Sequence, residues 1–417
     1  MDGPMTGIST LRIAWRNLGR NRKRSSLALV AIALGQFVFL GIAALMHGYL
    51  GDFHESITGP MVGHAQVHAP GWRDDRSMDL TIDGVSAVIE EIRGDPSVTN
   101  VAARIYAPVL TALTEEGFMS FVVGVDPAAE SHESGLLPSF DVSTIGDGRV
   151  VVGYNFAEKY GIETGAELAL VGQDIDGSIA SGLFTVEGIV ASPVDIVNSL
   201  GVVMSLDDAT EMLAMNDQAH EIVIHTADIE TINETVARLR GLPALNGLEV
   251  LPWREIVPTM IVMIEMVDVF LYIVLMIVFI AAAAGIANTM LMSTFERKHE
   301  FGMLLSLGCG PGSLARMVTV EAVILGLLGV ALGTAFGLGL VAVTSHTGMD
   351  YSALGGAGQD TYEASFRGLN LSSLVYPKLF VSDVLAGVVA VFLTSLLSVL
   401  WPVVKIVRME PMEAMRL

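Results

Sequence analysis

The side chains that could do chemistry in this chain are few and far apart. His64 and His68 are separated by four positions, and in a strand-like segment their side chains would lie about 13 Å apart, too far for one metal ion. The sequence contains no Walker A pattern, no GxGxxG after a strand, no HExxH, no CxxC and no GxSxG. We therefore expect no catalytic residue, no metal site and no cofactor bound by this chain.

Four long apolar stretches are the clearest structural signal. They lie at 25–49, 260–292, 314–343 and 381–404. Each is longer than the roughly 18–20 apolar residues with which a helix crosses about 30 Å of hydrocarbon. Hydrophobic residues make up 52% of the chain and charged residues 16%, which excludes an ordinary soluble protein. The predicted fold class is an integral membrane α-helical protein with four transmembrane helices.

A polar region at 50–259 separates the first two stretches and is long enough to fold as a domain. Its alternating strand and helix patterns predict a mixed α/β extracytoplasmic domain. The flanks, at about 50–106 and 200–259, are typical of βαβ units, and a β-rich insert occupies about 107–199. We expect two subdomains.

Local signals within and after this domain add detail. Val62–His68 alternates like a strand, and Asp83 is the expected N-cap of a helix at Gly84–Arg93. The polar segment Gly172–Gly182 is expected to form a protruding hairpin. No Pro or Gly interrupts 259–284, so one unbroken helix is expected over Glu255–Met292, with its first part outside the bilayer as a stalk.

The charge distribution orients the chain. The net charge is −22, with the acidic residues concentrated in the polar domain, which argues against a nucleic-acid partner. The basic residues near the span ends are Arg12, Arg16, Arg20, Arg22, Lys23, Arg24, Arg297, Lys298, Arg316, Lys405, Arg408 and Arg416. Such residues mark the cytoplasmic side. We therefore expect a cytoplasmic amphipathic segment at 1–24, a cytoplasmic tail at 405–417, and the domain and the loop at 344–380 outside the cytoplasm.

Three features of the spans suggest mechanical roles. Gly329, Gly333 and Gly337 repeat every four residues, which predicts close helix packing, although glycine is also common in spans. Methionine-rich positions in the second span could face an acyl chain or fill gaps between helices. The possible cargo-facing residues are Met263, Met266 and Met276. Glu321 lies near the inner end of the third span, where a basic partner is expected.

The most specific segment joins the second and third spans, at Glu296–Gly310, with the sequence ERKHEFGMLLSLGCG. It resembles the cytoplasmic segment of FtsX-like permeases. The opening Ala14–Leu18 and the ending Pro411–Arg416 resemble the ends of the same family. Within the family, Gly63–His68 looks most like the LolC/LolE type of lipoprotein-releasing permease, and MacB-type exporters are the nearest alternative.

The resemblance implies an ATP-driven mechanotransmission ABC transporter in the bacterial inner membrane. A cytoplasmic ABC ATPase dimer, which binds the ATP, would dock on a coupling helix within 293–313. The implied coupling residues are Glu300, Phe301, Gly302, Met303, Leu304, Leu305 and Gly308, with Phe301 as the anchor buried in the ATPase. The other implied partners are a second permease, the same or related, membrane lipids, and a lipoprotein cargo with a periplasmic carrier.

Two other functions fit the same resemblance. One is MacB-like export of a periplasmic small molecule or peptide, and the other is FtsX-like regulation of a periplasmic hydrolase. The segment Gly172–Gly182 lacks the proline-rich hook of carrier-binding LolC members. This departure favours a LolE-like partner role or a homodimer.

Overall fold

The computed structural model describes residues 16, 22–114, 116–130, 135–137, 144–192, 194–350, 365–366, 369–370 and 374–408. The C-terminal motif at 411–416 and most of the amphipathic segment at 1–24 lie outside these residues. The described residues form two compact units. One contains the chain up to Leu50, from Met263 to residue 350 and from Leu374 onwards, and the other contains Gly51 to Val262 with two short strands near 365–370.

The first unit is a bundle of long apolar helices. Its helices are α1 (Arg22–Thr58), α10 (Pro258–Glu296), α11 (Lys298–Ser306), α12 (Pro311–Thr347) and α13 (Val381–Val407). Four of them are long and apolar enough to cross a membrane, over Lys23–Asp52, Pro258–Glu296, Pro311–Thr347 and Val381–Val407. Each helix is longer than the span predicted for it. A helix ends at its capping residues, which need not coincide with the end of the apolar stretch. Two short strands, β12 (Met349–Asp350) and β15 (Leu374–Val375), pair between α12 and α13.

The second unit, which we call the polar domain, contains eleven strands between α1 and α10 among its described residues. The strands are β1 (Ala65–His68), β2 (Ile82–Asp83), β3 (Val98–Leu113), β4 (Glu116–Val125), β5 (Arg149–Gly153), β6 (Glu167–Gln173), β7 (Ile179–Val190), β8 (Gly201–Ser205), β9 (Gln218–Ala219), β10 (Glu221–Thr226) and β11 (Glu249–Pro252). The helices are α2 (Trp72–Asp75), α3 (Val85–Arg93), α4 (Pro127–Glu130), α5 (Tyr154–Tyr160), α6 (Asp195–Leu200), α7 (Leu206–Leu213), α8 (Ile232–Leu239) and α9 (Trp253–Ile256). The same unit includes β13 (Ser365–Phe366) and β14 (Leu369–Asn370).

One end of the polar domain is a four-stranded antiparallel sheet in the order β11-β1-β10-β3. The chain enters it as β1-α3-β3 and re-enters as β10-α8-β11, and each pair of strands is split by a strand of the other pair. This arrangement is the ferredoxin-like interleaving of two split βαβ units. The βαβ character expected for the flanks is therefore present, but the two flanks form one sheet.

The β-rich insert forms a closed barrel together with β8, which lies in the expected second flank. Its strands follow the order β3-β4-β8-β5-β7-β6, and β6 pairs back onto β3 through Val109–Ala112. β5 and β8 are short, largely buried runs rich in valine, which suits strands covered on both faces, whereas β6 and β7 alternate between buried and more exposed residues. β3 belongs to the sheet in its first half and to the barrel in its second half. The two expected subdomains are therefore not separate, because this one 16-residue strand runs through both.

Several local predictions also need correction. The strand predicted over Val62–His68 is only β1, a central strand of the sheet in which all four residues are buried. Gly84, not Asp83, is the N-cap of α3. Asp217 from a distant loop accepts the hydrogen bond of Ser86 N at 2.9 Å, and the Asp83 carboxylate accepts one from Gln218 instead. Sequence spacing cannot reveal a cap that comes from elsewhere in the chain.

The expected hairpin is shorter than the polar segment that predicted it. β6 continues to Gln173 and β7 begins at Ile179, so most of Gly172–Gly182 is paired strand. The turn is closed by Asp174, whose Oδ1 accepts a hydrogen bond from Ser178 N at 2.8 Å, and Gly177 adopts φ +80°. The aspartate and the glycine supply what a tight turn requires.

The unbroken helix expected from Glu255 onwards is wrong. α9 ends at Ile256, Val257 has φ −123° and ψ 67°, and α10 begins at Pro258. A proline ring disfavours helical backbone in the residue before it, which places the break at Val257. α10 then continues without interruption for 39 residues.

Candidate coupling site

The short helix α11, between α10 and α12, contains most of the residues expected to meet an ATPase. The structure changes the part played by Phe301. Its ring is fully buried in the core of the helix bundle, in the cluster that includes Ile286, Leu314 and Ile406. Phe301 therefore fixes α11 to its own bundle, and the expectation that it inserts into a partner is corrected.

A buried ion pair fixes the start of α11. Arg297 Nη1 donates to Glu321 Oε2 of α12 at 3.2 Å, and Arg297 Nε donates to Glu300 Oε2 at 3.2 Å. The guanidinium also lies 4.9 Å from the centre of the Phe301 ring. Arg24 of α1 pairs with Glu296 at the end of α10. The basic partner expected for Glu321 is thus Arg297, and the charges tie α11 to α12 and α10 to α1.

The opposite side of α11 is apolar and uncovered. Met303, Leu304 and Leu307 are 48%, 37% and 78% exposed. Gly302 is buried, and Leu305 packs against the bundle core. Gly308 ends this segment with φ +88°, a left-handed conformation that glycine adopts without steric cost. We call Met303, Leu304 and Leu307 the α11 outer face. A row of exposed apolar residues on a firmly fixed helix is suited to bind another protein.

The three glycines of α12 lie against α1. A Cβ atom on Gly329 would lie 2.7 Å from Ile32 Cβ, and one on Gly337 would lie 3.0 Å from Leu40 Cδ1. A Cβ on Gly333 would lie 2.7 Å from Gln36 Cβ and closer still to the carbonyl of Ala33. The approaches at Gly329 and Gly333 are too close for a larger residue and that at Gly337 is tight, so the glycine repeat allows α1 and α12 to pack closely.

Gln36 is a polar residue in the middle of these contacts. It is fully buried, and its Nε2 donates to Thr334 Oγ1 of α12 at 3.3 Å. Gly387 of α13 faces its amide, where a Cβ atom would collide with both Oε1 and Nε2. The side chain thus occupies space provided by one glycine on α12 and one on α13. Residue types alone gave no sign of this three-helix contact.

The methionines of α10 differ in exposure. Met260 is 1% exposed, Met263 is half-buried, and Met266 and Met276 are 66% and 54% exposed. Met266 and Met276 share the uncovered side of α10 with Val269 and Ile273. This side is available to lipid, to acyl chains or to another membrane helix.

The polar domain contains a buried charged network that the sequence did not reveal. His68, Glu221 and Arg104 lie side by side on β1, β10 and β3. Arg104 Nε donates to Glu130 Oε1 at 2.6 Å, and the same guanidinium donates to the carbonyl oxygens of Pro60 and Met61. The network ties the segment after α1 to the centre of the sheet.

Burial sets the pKa values of this network and of the nearby histidines. Burial raises the pKa of Glu221 above its usual range. It lowers the pKa of His68 to about 3 and that of His64 to about 4. His64 Nδ1 accepts the hydrogen bond of Thr226 N at 3.0 Å, which requires the neutral ring. Both histidines are thus neutral structural residues of the sheet.

Two family profiles match the chain, and together they cover both units. The profile of the MacB-like periplasmic core domain matches residues 25–242, and that of the FtsX-like permease C-terminal region matches 272–411. The chain belongs to the family of FtsX-like permeases with a MacB-like periplasmic core domain. The predicted family and fold class are thereby confirmed, with four candidate membrane helices and a periplasmic α/β domain between the first and the second.

Two named kinds of permease recur among the similar proteins. The lipoprotein-releasing transmembrane protein LolC of Xylella fastidiosa is 21% identical over 98% of this chain and 97% of its own. LolE of Haemophilus influenzae is 23% identical over 97% and 98%. The macrolide export protein MacB of Azoarcus is 23% identical over 83% of this chain, which covers 54% of MacB.

Among solved structures, the periplasmic region of MacB from Actinobacillus actinomycetemcomitans matches 49% of this chain and 94% of its own. The TM-score is 0.35 and the identity 12%. The relatives show that this FtsX-like permease is an ABC transporter permease of the MacB/LolC family.

Proposed function

We propose that this permease is the membrane subunit of an ATP-driven mechanotransmission transporter that releases lipoproteins from the inner membrane. A separate ABC ATPase dimer binds α11 and hydrolyses ATP. A second permease, the same or related, completes the complex. The permease performs no chemistry of its own and transmits movement to the polar domain.

The observation that carries this proposal is the construction of α11. Phe301 is buried in the bundle core and Arg297 is paired with Glu321, while the α11 outer face is uncovered. A partner that displaces Met303, Leu304 and Leu307 would therefore move α10 and α12 together with α11. Glu300 and Gly308 border this face, and Gly302 and Leu305 provide its packing.

The cargo assignment rests on the relatives and on α10. The LolC and LolE relatives align with this chain over at least 97% of both lengths, whereas the chain spans about half the length of MacB. The exposed Met266 and Met276 offer a polarizable apolar surface suited to acyl chains. Export of a macrolide-like compound is the second candidate, because the periplasmic core profile is of the MacB type.

The orientation belongs to the same proposal. The basic residues near α11 and at the ends of α1 and α13 support a cytoplasmic position for both termini and for α11. The polar domain then lies in the periplasm, where a carrier could receive the cargo.

A reconstituted assay tests the proposed cargo. The permease and its ATPase are placed in proteoliposomes that contain a triacylated lipoprotein, and the lipoprotein released to a soluble carrier is measured with and without ATP. We expect ATP-dependent release. The variants Met266→Glu and Met276→Glu test the α10 surface. They place charges on the uncovered side of α10 and should reduce release while ATP hydrolysis continues.

Two results would contradict lipoprotein release. One is an absence of release in liposomes whose ATPase is active. The other is ATP hydrolysis that a macrolide stimulates and a lipoprotein does not, which would favour export.

A further inference from the structure

One side of the barrel is an uncharged outer face that crosses β4, β3, β6 and β7. Leu110 of β3 lies opposite Met119 of β4 and Val171 of β6, and all three are at least 40% exposed. Alternate residues of β6 and β7 point away from the barrel interior. We call this side the barrel outer face and define it by Leu110, Ala112, Met119, Val171, Ser181 and Leu183. In a chain of net charge −22, an apolar face of this kind indicates a binding surface.

A groove of about 260 Å³ runs along the barrel outer face. The side chains that line it include Met78, Pro108, Leu110, Met119, Val171 and Gln173. Met78 belongs to the segment after α2 and forms one wall. His220 Nδ1 accepts the hydrogen bond of Tyr106 N at 3.0 Å, so His220 Nε2 carries the proton and donates to Met78 O at 3.2 Å. The wall is therefore held in place by the sheet.

The hydrogen bonding of the barrel decides which chemistry suits the groove. β3 pairs with both β4 and β6, and β6 pairs with both β3 and β7. The backbone donors and acceptors of these strands are thus used within the barrel. A peptide laid along the groove would lose hydrogen bonds to water and gain none from the strands. An acyl chain needs no hydrogen bond, and the flexible side chains of Met78 and Met119 adapt to its shape.

The size of the face argues against a second copy of the chain. Four strands about 4.8 Å apart, over about 17 Å of each strand, present roughly 300 Å². A specific protein interface buries about 800 Å² on each partner. The face is therefore suited to a narrow ligand.

Acidic residues at both ends of the face restrict the ligand further. Glu116 and Glu167 lie at one end, and Asp174 and Asp176 lie in the turn at the other. These carboxylates repel the phosphate group of an anionic phospholipid. They tolerate an acyl chain that is attached to an uncharged or basic group, as at the end of a lipidated protein.

We propose that the groove on the barrel outer face binds one acyl chain of a lipidated protein. It covers the acyl chain after this chain has left the bilayer. The proposal deepens the proposed function and rests on it for the identity of the cargo.

Photocrosslinking tests the groove directly. The full-length permease in lipid nanodiscs is irradiated with a medium-chain monoacylglycerol that carries a diazirine, and the labelled peptides are identified by mass spectrometry. We expect labelling of the peptides that contain Met78 and Met119. Leu110→Glu should lower this labelling about tenfold, because a carboxylate would have to lose water against the acyl chain. Labelling of the membrane helices in the same sample is the internal reference.

Two control variants separate the groove from general effects. Ile189→Glu places the same charge on β7 outside the groove, at a residue as exposed as Val171, with 39% against 40%. Leu110→Met keeps the groove apolar. Both should label at the wild-type level and share the thermal midpoint of Leu110→Glu. An absence of label at Met78 and Met119, or an equal loss in Ile189→Glu, would overturn the proposal.

Competition identifies the occupant. A synthetic triacylated lipopeptide should displace the monoacylglycerol, and the same peptide without acyl chains should not. Equal competition by the unacylated peptide would make the groove a peptide site and contradict the proposal. So would labelling that falls as the permease concentration rises, since a second copy would then occupy the face.

Transport is measured separately in the reconstituted assay. Leu110→Glu should keep ATP hydrolysis and release less lipoprotein per ATP, whereas Ile189→Glu should release as much as wild type. If labelling is lost while release per ATP is unchanged, the groove does not hold the acyl chain of the cargo, and the proposal fails. If wild type releases no lipoprotein while labelling and competition keep the expected pattern, the proposed function fails and the acyl site stands.

Discussion

Arg297 and Glu321 form a buried ion pair that joins the segment before α11 to the first part of α12. Their side chains are 9% and 5% exposed, and the two atoms lie 3.2 Å apart. Charges inside an apolar bundle are costly unless paired. The pair therefore makes the position of α11 depend on α12.

Breaking this pair should destabilise the bundle. Removing one member of a buried pair typically costs about 3–5 kcal/mol, because the other charge stays buried and alone. We expect Arg297→Met to lower the thermal midpoint of the detergent-solubilised protein clearly. The double variant Arg297→Met/Glu321→Met should recover most of the loss, and equal midpoints for the wild type and the single variant would refute the role of the pair.

The α11 outer face should decide ATPase binding. Leu304→Asp and Leu307→Asp place charges on an exposed apolar surface, so we expect loss of co-purification with the ATPase and an unchanged thermal midpoint. Phe301→Asp should instead lower the midpoint, since it buries a charge in the bundle core. Co-purification of both leucine variants at the wild-type level would rule out this face.

Gly387 should not accept a methyl group. Gly387→Ala would force Gln36 to move, and overpacking of this kind costs about 1–3 kcal/mol. The combination with Gln36→Ala should restore stability by making room. Gly339→Ala is the control, because a Cβ at that position meets nothing within 4 Å. The thermal midpoints of these variants in detergent measure the effect.

His64 should make the polar domain less stable in mild acid. Its pKa is about 4 in the folded protein, against an ordinary value of 6.5 for a solvated histidine, so the unfolded chain takes up the proton first. The stability is fully present above pH 6.5 and is lost as the pH falls from 6.5 towards 4. In His64→Asn, which keeps an acceptor for Thr226 N, thermal melts followed by tryptophan fluorescence should show a shallower pH dependence over this window. An equally steep dependence in the variant would exclude His64 as its source.

The orientation can be read by cysteine labelling. In a Cys309→Ser background, a cysteine at Leu307 should react only with reagents that enter the cytoplasm. A cysteine at Ser178, on the exposed turn between β6 and β7, should react from outside in intact spheroplasts. The reverse pattern would invert the proposed topology.

The sequence predicted best what depends on local pattern. The four membrane helices and the mixed α/β domain between the first two follow from apolar length and from the alternating strand and helix patterns. The glycine spacing at Gly329, Gly333 and Gly337 likewise indicated a close contact, although not which helix would fill it.

What the sequence did not predict depends on residues that are distant along the chain. Arg104 and Gln36 gave no local signal, because their partners lie on other strands or helices. Phe301 was misassigned because an apolar residue on an amphipathic helix can face either its own bundle or a partner, and periodicity does not distinguish the two. The break at Val257 was predictable in principle, since the effect of a proline on the preceding residue is local.

The shared strand β3 has a consequence for how this family of domains can diversify. Its 16 residues span about 50 Å at roughly 3.3 Å per residue, so one continuous strand runs through both the sheet and the barrel. Motion that enters near Val98 reaches Leu113 without passing through a flexible loop. The turns of the barrel can therefore change length and composition while β3 keeps its length and its place in both the sheet and the barrel.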